Sequence, residues 1–196
     1  MYIVADITSF CKTLIRYVGN GYDQMQVSYI PNKKRHKTKQ IRAKLSNKYQ
    51  TNLSSGKRQY RRKKGLCNYI GIQFKDIFFI ILKTKGSEPN FNEKWQSVYR
   101  YSFQLGKFLK VELIKDERGK NTFKLEKETI KDIRSNIQVT IQKHNKSKFY
   151  NEITKLYNLH KILRYRGFYI QLSTILKDIK QLQIKHNTKY NLPKFF

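Results

Sequence analysis

The chain has 196 residues, with 42 Lys and Arg against 13 Asp and Glu and a formal net charge of +29. Hydrophobic residues make up 39% and aromatics 14%, too many for a histone-tail-like chain, which leaves one folded domain or two small ones. Single-sign charge on this scale opposes compaction and is relieved by a polyanion, which points to DNA or RNA; a membrane surface would call for a basic amphipathic helix beside an apolar anchor.

Taken in chain order, Ile7, Phe10, Cys11, Leu14, Ile15 and Val18 recur at helical spacing, with Asp6 as a cap and Gly19-Asn20-Gly21 as a stop. Met25 to Ile30 reads as a short strand ended by Pro31. A basic arm follows, from Lys33-Lys34-Arg35-His36-Lys37 to Lys57-Arg58-Gln59-Tyr60-Arg61-Arg62-Lys63-Lys64. Between those runs Ile41, Leu45 and Tyr49 share a helical face with Arg42, Lys44 and Lys48 beside it. No acid falls between Asp23 and Asp76, the strongest single pattern in the chain.

The middle reads as β. Tyr69 to Phe74 and Ile77 to Leu82 are β-branched and aromatic, with Lys75-Asp76 as a tight turn. The second run is apolar on both faces and predicts a central, buried strand. A loop at Gly86-Ser87-Glu88-Pro89-Asn90 precedes an alternating strand over Val98 to Leu105. Leu109 to Leu113 and Thr122 to Leu125 flank a second hairpin turn at 116–120. The end reads as α: Ile130, Ile133, Ile137 and Ile141 form one stripe, Phe149, Ile153, Leu156 and Tyr157 another. Leu172, Ile175, Leu176, Ile179 and Leu182 form the longest, stopped at Pro193. The expected class is α+β: an antiparallel sheet with C-terminal helices and a basic N-terminal arm. The expected division is 1–30, helix and short strand; 31–66, basic arm; and 67–196, an α+β domain.

Cys11 and Cys67 allow one disulfide, but no secreted scaffold or zinc spacing surrounds them. Met1 to Asp6 has no basic leader, and the longest apolar run, Ile77 to Leu82, is too short to span a bilayer. The expectation is an intracellular protein, not secreted and with no membrane partner. Abundant Lys, Asn, Ile, Tyr and Phe fit an AT-rich genome: a plastid, a mitochondrion or a mobile element. Such a genome also inflates Lys, though not Arg.

Catalytic constellations are poorly represented. Tyr69-Ile70-Gly71 matches half of a GIY-YIG nuclease signature, without its partner half or downstream Arg; a glycine at a close approach in a strand explains it as well. Asp76, Glu112, Glu126 and Glu128, with Lys115, are the acids that could hold a metal for a nuclease, yet they read equally as turn and surface carboxylates. His36, His144, His160 and His186 are scattered. No catalytic residue, metal or cofactor is assigned.

Binding chemistry is richer. The candidate nucleic-acid contacts are Lys33, Lys34, Arg35, His36, Lys37, Arg42, Lys57, Arg58, Tyr60, Arg61, Arg62, Lys63 and Lys64, joined by Arg164 and Arg166 near a later helix start. Cations would hold phosphates while Tyr49 and Tyr60 stack on unpaired bases. Tyr99 and Tyr101 flank Arg100, and Tyr165 lies between Arg164 and Arg166 with Tyr169 just beyond.

His36-Lys37-Thr38-Lys39, Lys48-Tyr49, Asn52-Leu53-Ser54, Gln59-Tyr60-Arg61-Arg62-Lys63-Lys64-Gly65-Leu66 and Asn68 resemble uncharacterised basic proteins of cyanobacterial plasmids and algal plastid or plasmid DNA, as does the tail from Arg164 to Leu172, Pro193 and Phe196. The resemblance implies a mobile-element or plastid reading frame and brings no catalytic residues. The leading expectation is a nucleic-acid-binding protein. Two alternatives stand beside it: a metal-dependent nuclease or replication protein of a plasmid or intron, and an organellar ribosomal protein.

Overall fold

The structure, a computed structural model, describes residues 1–88, 93–106 and 109–195. Pro89 and Asn90 of the expected loop, and Phe196, lie outside the described residues. The chain is α+β and forms two compact units, Met1–Tyr101 and Ser102–Phe196.

The first unit opens with β1 (Tyr2–Val4), α1 (Ile7–Gly19) and β2 (Gln24–Tyr29). The Asp6 carboxylate accepts from the Ser9 amide at 2.8 Å and the Ser9 hydroxyl at 2.7 Å, and these bonds hold its carboxyl below the usual aspartate range. The cap is therefore intact above about pH 4 and fails as pH falls through the lowered value. Asp6→Asn keeps an acceptor and should remove this part of the acid dependence of unfolding.

A 3-10 turn (Asn32–Lys37), α2 (Thr38–Lys48) and α3 (Ser55–Lys63) follow, then the hairpin β3 (Tyr69–Phe74) and β4 (Phe78–Lys83), and β5 (Gln96–Ser97). The sheet order is β1-β3-β4-β2-β5; β1 runs parallel to β3 and the other pairs are antiparallel. This sheet is thus mixed, and β4 is central, as its unbroken apolar run requires.

Strand alternation explains how this sheet is covered. Ile70, Ile72 and Phe74 share one face with Leu82, Ile80 and Phe78. Phe10 of α1 packs there, its ring 5.3 Å from Phe74 and 5.7 Å from Phe78. The opposite face carries Tyr69, Gly71, Gln73 and Ile81. Tyr49, at the end of α2, is 3% exposed and joins Cys67, Tyr69 and Ile81, with Leu45, Met1 and Trp95 around them. A sheet apolar on both faces needs two covers, and the second comes from the basic stretch.

That corrects the expected organisation. Residues 31–66, expected as a basic arm, are built into the first unit, and the α+β domain expected over 67–196 divides at 101/102. The Ile41, Leu45 and Tyr49 stripe was legible as a helical face, and burying it is what folds the segment down. Gly71, the glycine of the half-signature, is a close-approach position: a Cβ there would come within 2.6 Å of the Met1 side chain. The expected strand over Val98 to Leu105 is also revised. Val98–Arg100 forms a 3-10 turn, with the Val98 amide donating to the Asp23 carbonyl at 3.0 Å and the Ser97 hydroxyl capping Tyr99.

The second unit is a three-stranded antiparallel sheet, β6 (Ser102–Gln104), β7 (Lys110–Lys115) and β8 (Asn121–Leu125), with α4 (Lys127–Gln142), α5 (Lys146–Ile162) and α6 (Arg166–Lys185). The expected apolar stripes supply its core through Ile137, Ile141, Phe149, Ile153, Leu156, Leu172, Ile175 and Ile179. The last helix ends at Lys185, before Pro193, because Asn187 adopts a left-handed φ of 48° and the Thr188 amide turns back to the Gln183 carbonyl.

Helix α6 also closes an edge of this sheet. The Gln171 amide accepts from the Leu125 N–H and donates to its carbonyl, both at 2.8 Å, standing in for a neighbouring strand. Gly167 permits the approach, since a Cβ there would lie 2.6 Å from the Phe123 carbonyl oxygen, a main-chain atom that cannot swing aside. Gly167→Ala should destabilise the second unit by about 1–3 kcal/mol, read as a lower urea midpoint with unchanged slope.

Candidate nucleic-acid interface

Helix α3 contains a physical puzzle. Its sequence, SGKRQYRRK, has no apolar stripe, and none of its residues is buried. Three arginines dock it through main-chain carbonyls. Arg58 Nη2 donates to Thr51 at 3.3 Å, Arg61 Nε to Cys67 at 3.1 Å, and Arg62 Nη2 to Asn20 at 3.0 Å. Arg61 also reaches the Gln50 side chain at 3.2 Å, and the Asn68 amide donates to the Arg58 carbonyl at 3.0 Å. Planar guanidinium forks suit this work, being weakly hydrated and rich in donors. Ser54 caps the start of the helix, and Arg61, Arg62 and Lys63 sit favourably at the negative end of its dipole.

The basic run therefore divides in two. Arg58, Arg61 and Arg62 hold the helix down while retaining spare donors. Lys57, Tyr60 and Lys64, spaced i, i+3 and i+7, share another side with Lys63 beside them, and all four are exposed. Tyr60 is 62% exposed, with Lys64 Nζ 5.8 Å from its ring centroid. The earlier run, Lys33, Lys34, Arg35, His36 and Lys37, is also exposed, on the 3-10 turn, while Arg42 is half-buried and donates to Gln73 at 3.3 Å.

Fifteen Lys and Arg lie between Asp23 and Asp76 without an acid among them, and among the described residues only Lys48 of these is in an ion pair, with Glu93. The second unit pairs more of its cations. Its carboxylates meet cations at Lys110–Glu126, Lys124–Glu112, Lys131–Glu128, Arg134–Asp178 and Lys155–Glu152. Arg166 belongs to that pattern, held by Asp116 and Glu117, whereas Arg164 is exposed.

Several expected contacts are engaged inside the protein. Tyr49 is core: its ring lies 5.5 Å from Tyr69 and 6.0 Å from Trp95, and its hydroxyl donates to Gln26 and Glu93. Burial first, then the Glu93 carboxylate, hold that phenol well above its ordinary pKa, so it stays neutral. Tyr101 shares a 2.9 Å hydrogen bond with Tyr29, Tyr165 packs on Phe123 at 5.4 Å, and Tyr169 meets His160 at 5.3 Å. The candidate metal ligands are not drawn together. Asp76 lies in the first unit, Glu112, Glu126 and Glu128 each face a lysine in the second, and no three His, Cys, Asp or Glu among the described residues could share an ion. Cys11 and Cys67 are buried free thiols. No helix among the described residues is long and apolar enough to cross a membrane.

Comparison with protein-family models, with curated proteins and with solved structures finds no match for this chain.

Proposed function

We propose that this is a nucleic-acid-binding protein that grips the phosphate backbone through the surface of residues 31–66, as befits a product of a mobile element or an organellar genome. The observation that carries the reading is the unneutralised cation set of that surface: among the described residues, one ion pair for its fourteen Lys and Arg, in a segment built into the first unit. Positive charge left unpaired on a fixed scaffold is costly to keep and is relieved by phosphate, with release of condensed counterions. Tyr60 adds an exposed ring amid Lys57, Lys63 and Lys64 for a base to stack on.

The test is a salt titration of the full chain against a labelled oligonucleotide. With four phosphates neutralised, affinity should fall roughly 50-fold between 50 and 200 mM salt. Affinity independent of salt over that range would refute the reading.

A further inference from the structure

A cleft of about 370 Å³ lies between the end of α1 and α3, wholly within the first unit. Its walls include Arg58, Gln59 and Arg62 from α3, Asn20 at the end of α1, and the rings of Tyr17 and Tyr22. The α3 contributors, with Ser55, are spaced i, i+3, i+4 and i+7 and so form one stripe, different from the stripe of Lys57, Tyr60 and Lys64. We infer that this cleft takes a single unpaired nucleotide of a bound strand, which makes the protein a single-strand binder.

The inference rests on the reading of the protein as a nucleic-acid binder, and each wall supplies one part of nucleotide recognition. Arg62 lies over the Tyr22 ring, its guanidinium carbon 5.6 Å from the centroid, and is pinned by its bond to Asn20. A guanidinium fixed over an aromatic ring is a flat cationic platform of the kind on which unpaired bases stack. Arg58 and Arg62 bring two positive charges with no carboxylate in the lining, which suits a phosphate. Arg58 Nε is buried and has no acceptor among the described residues. The exposed amide side chains of Asn20 and Gln59 each offer a donor and an acceptor to a base edge. Burial pushes the Tyr17 phenol up to about 12, and it accepts from Arg16 at 2.9 Å, so no negative charge competes for the site.

Size sets the occupant. The cleft sits near the lower end of small-ligand sites, roughly 300–1,000 Å³, and is concave. A base enters only when it is out of its stack, and a paired base cannot reach it without that cost.

The experiment compares the full chain on a labelled single-stranded 15-mer and on the duplex of the same length, at matched salt. The wild-type protein should prefer the single strand by about tenfold, the yield of one stacked base. Gln59→Trp fills the cleft from an exposed helix position outside the docking bonds. It should reduce the preference to within about twofold while leaving duplex affinity and its salt dependence unchanged. Arg62→Lys, which keeps the charge but removes the planar platform, should also lower the preference for the single strand. Equal affinity for strand and duplex in the wild type, or a preference that survives Gln59→Trp, would overturn the inference while leaving phosphate binding intact. Binding to neither probe would remove the proposed function as well.

Discussion

Replacing Lys57, Lys63 and Lys64 together by Gln should lower affinity for a single-stranded oligonucleotide by roughly 10²–10³-fold at 50 mM salt. If each lysine meets one phosphate, its loss removes about 0.7 from the salt slope, or about 2 for the three, and the deficit should shrink to about 30-fold at 200 mM. Folding should be untouched, because these side chains are exposed and take no part in docking α3, and Lys and Gln have similar helix propensities. The control is the same change in charge elsewhere. Lys177, Lys180 and Lys189, exposed in the second unit, replaced together by Gln, should leave the slope nearly as it was. Equal losses from the two triple variants would mean that total charge, not its placement on α3, drives binding.

Tyr49→Ala should cost the first unit about 3–5 kcal/mol, against about 1 kcal/mol for Tyr49→Phe. The ring fills space between Tyr69 and Trp95, and truncation leaves a cavity on the face of the sheet that α2 covers. The phenylalanine variant keeps the ring and loses only the hydroxyl bonds to Gln26 and Glu93, while Glu93 retains Lys48. A loss of this size is a large share of the roughly 5–15 kcal/mol that stabilises an ordinary domain, so the alanine protein should melt early. The result also separates two roles for the residue. Unchanged stability with weakened nucleic-acid binding would mark Tyr49 as a stacking residue instead of a core one.

The same residue shows what local pattern can and cannot reveal. Helix and strand periodicities are properties of neighbouring residues, so α1, the β3–β4 hairpin, the β7–β8 hairpin and the three C-terminal helices were readable with modest errors at their ends. The end of α6 carries a local sign in Asn187, a residue type that tolerates the left-handed turn which ends the helix ahead of Pro193. Tyr49 was harder. A tyrosine amid lysines reads either as part of the Ile41 and Leu45 face or as ligand-facing, and only the pairing of β3 with β4 shows the second apolar face that receives it.

The candidate interface divides along the same line. An acid-free, cation-rich stretch with an α2 stripe inside it was plain from the sequence, which needs only residue order to show unbalanced charge. The division of α3 into docking arginines and outward lysines was not, because Arg58, Arg61 and Arg62 find their acceptors at Thr51, Cys67 and Asn20, the last of them 42 residues away. The cleft was likewise invisible: Gly19-Asn20-Gly21 looked like a helix stop and nothing more, and Tyr22 is far along the chain from the guanidinium that covers it. Sequence alone determined the excess of charge, the segment that carries it and the elements of an α+β chain. Tertiary structure decided that the segment is a cover for a sheet, which of its cations stay in solvent, and which pair of distant residues makes a platform. Charge and periodicity are additive along a chain, whereas a carbonyl acceptor or an aromatic neighbour exists only once the chain has folded back on itself.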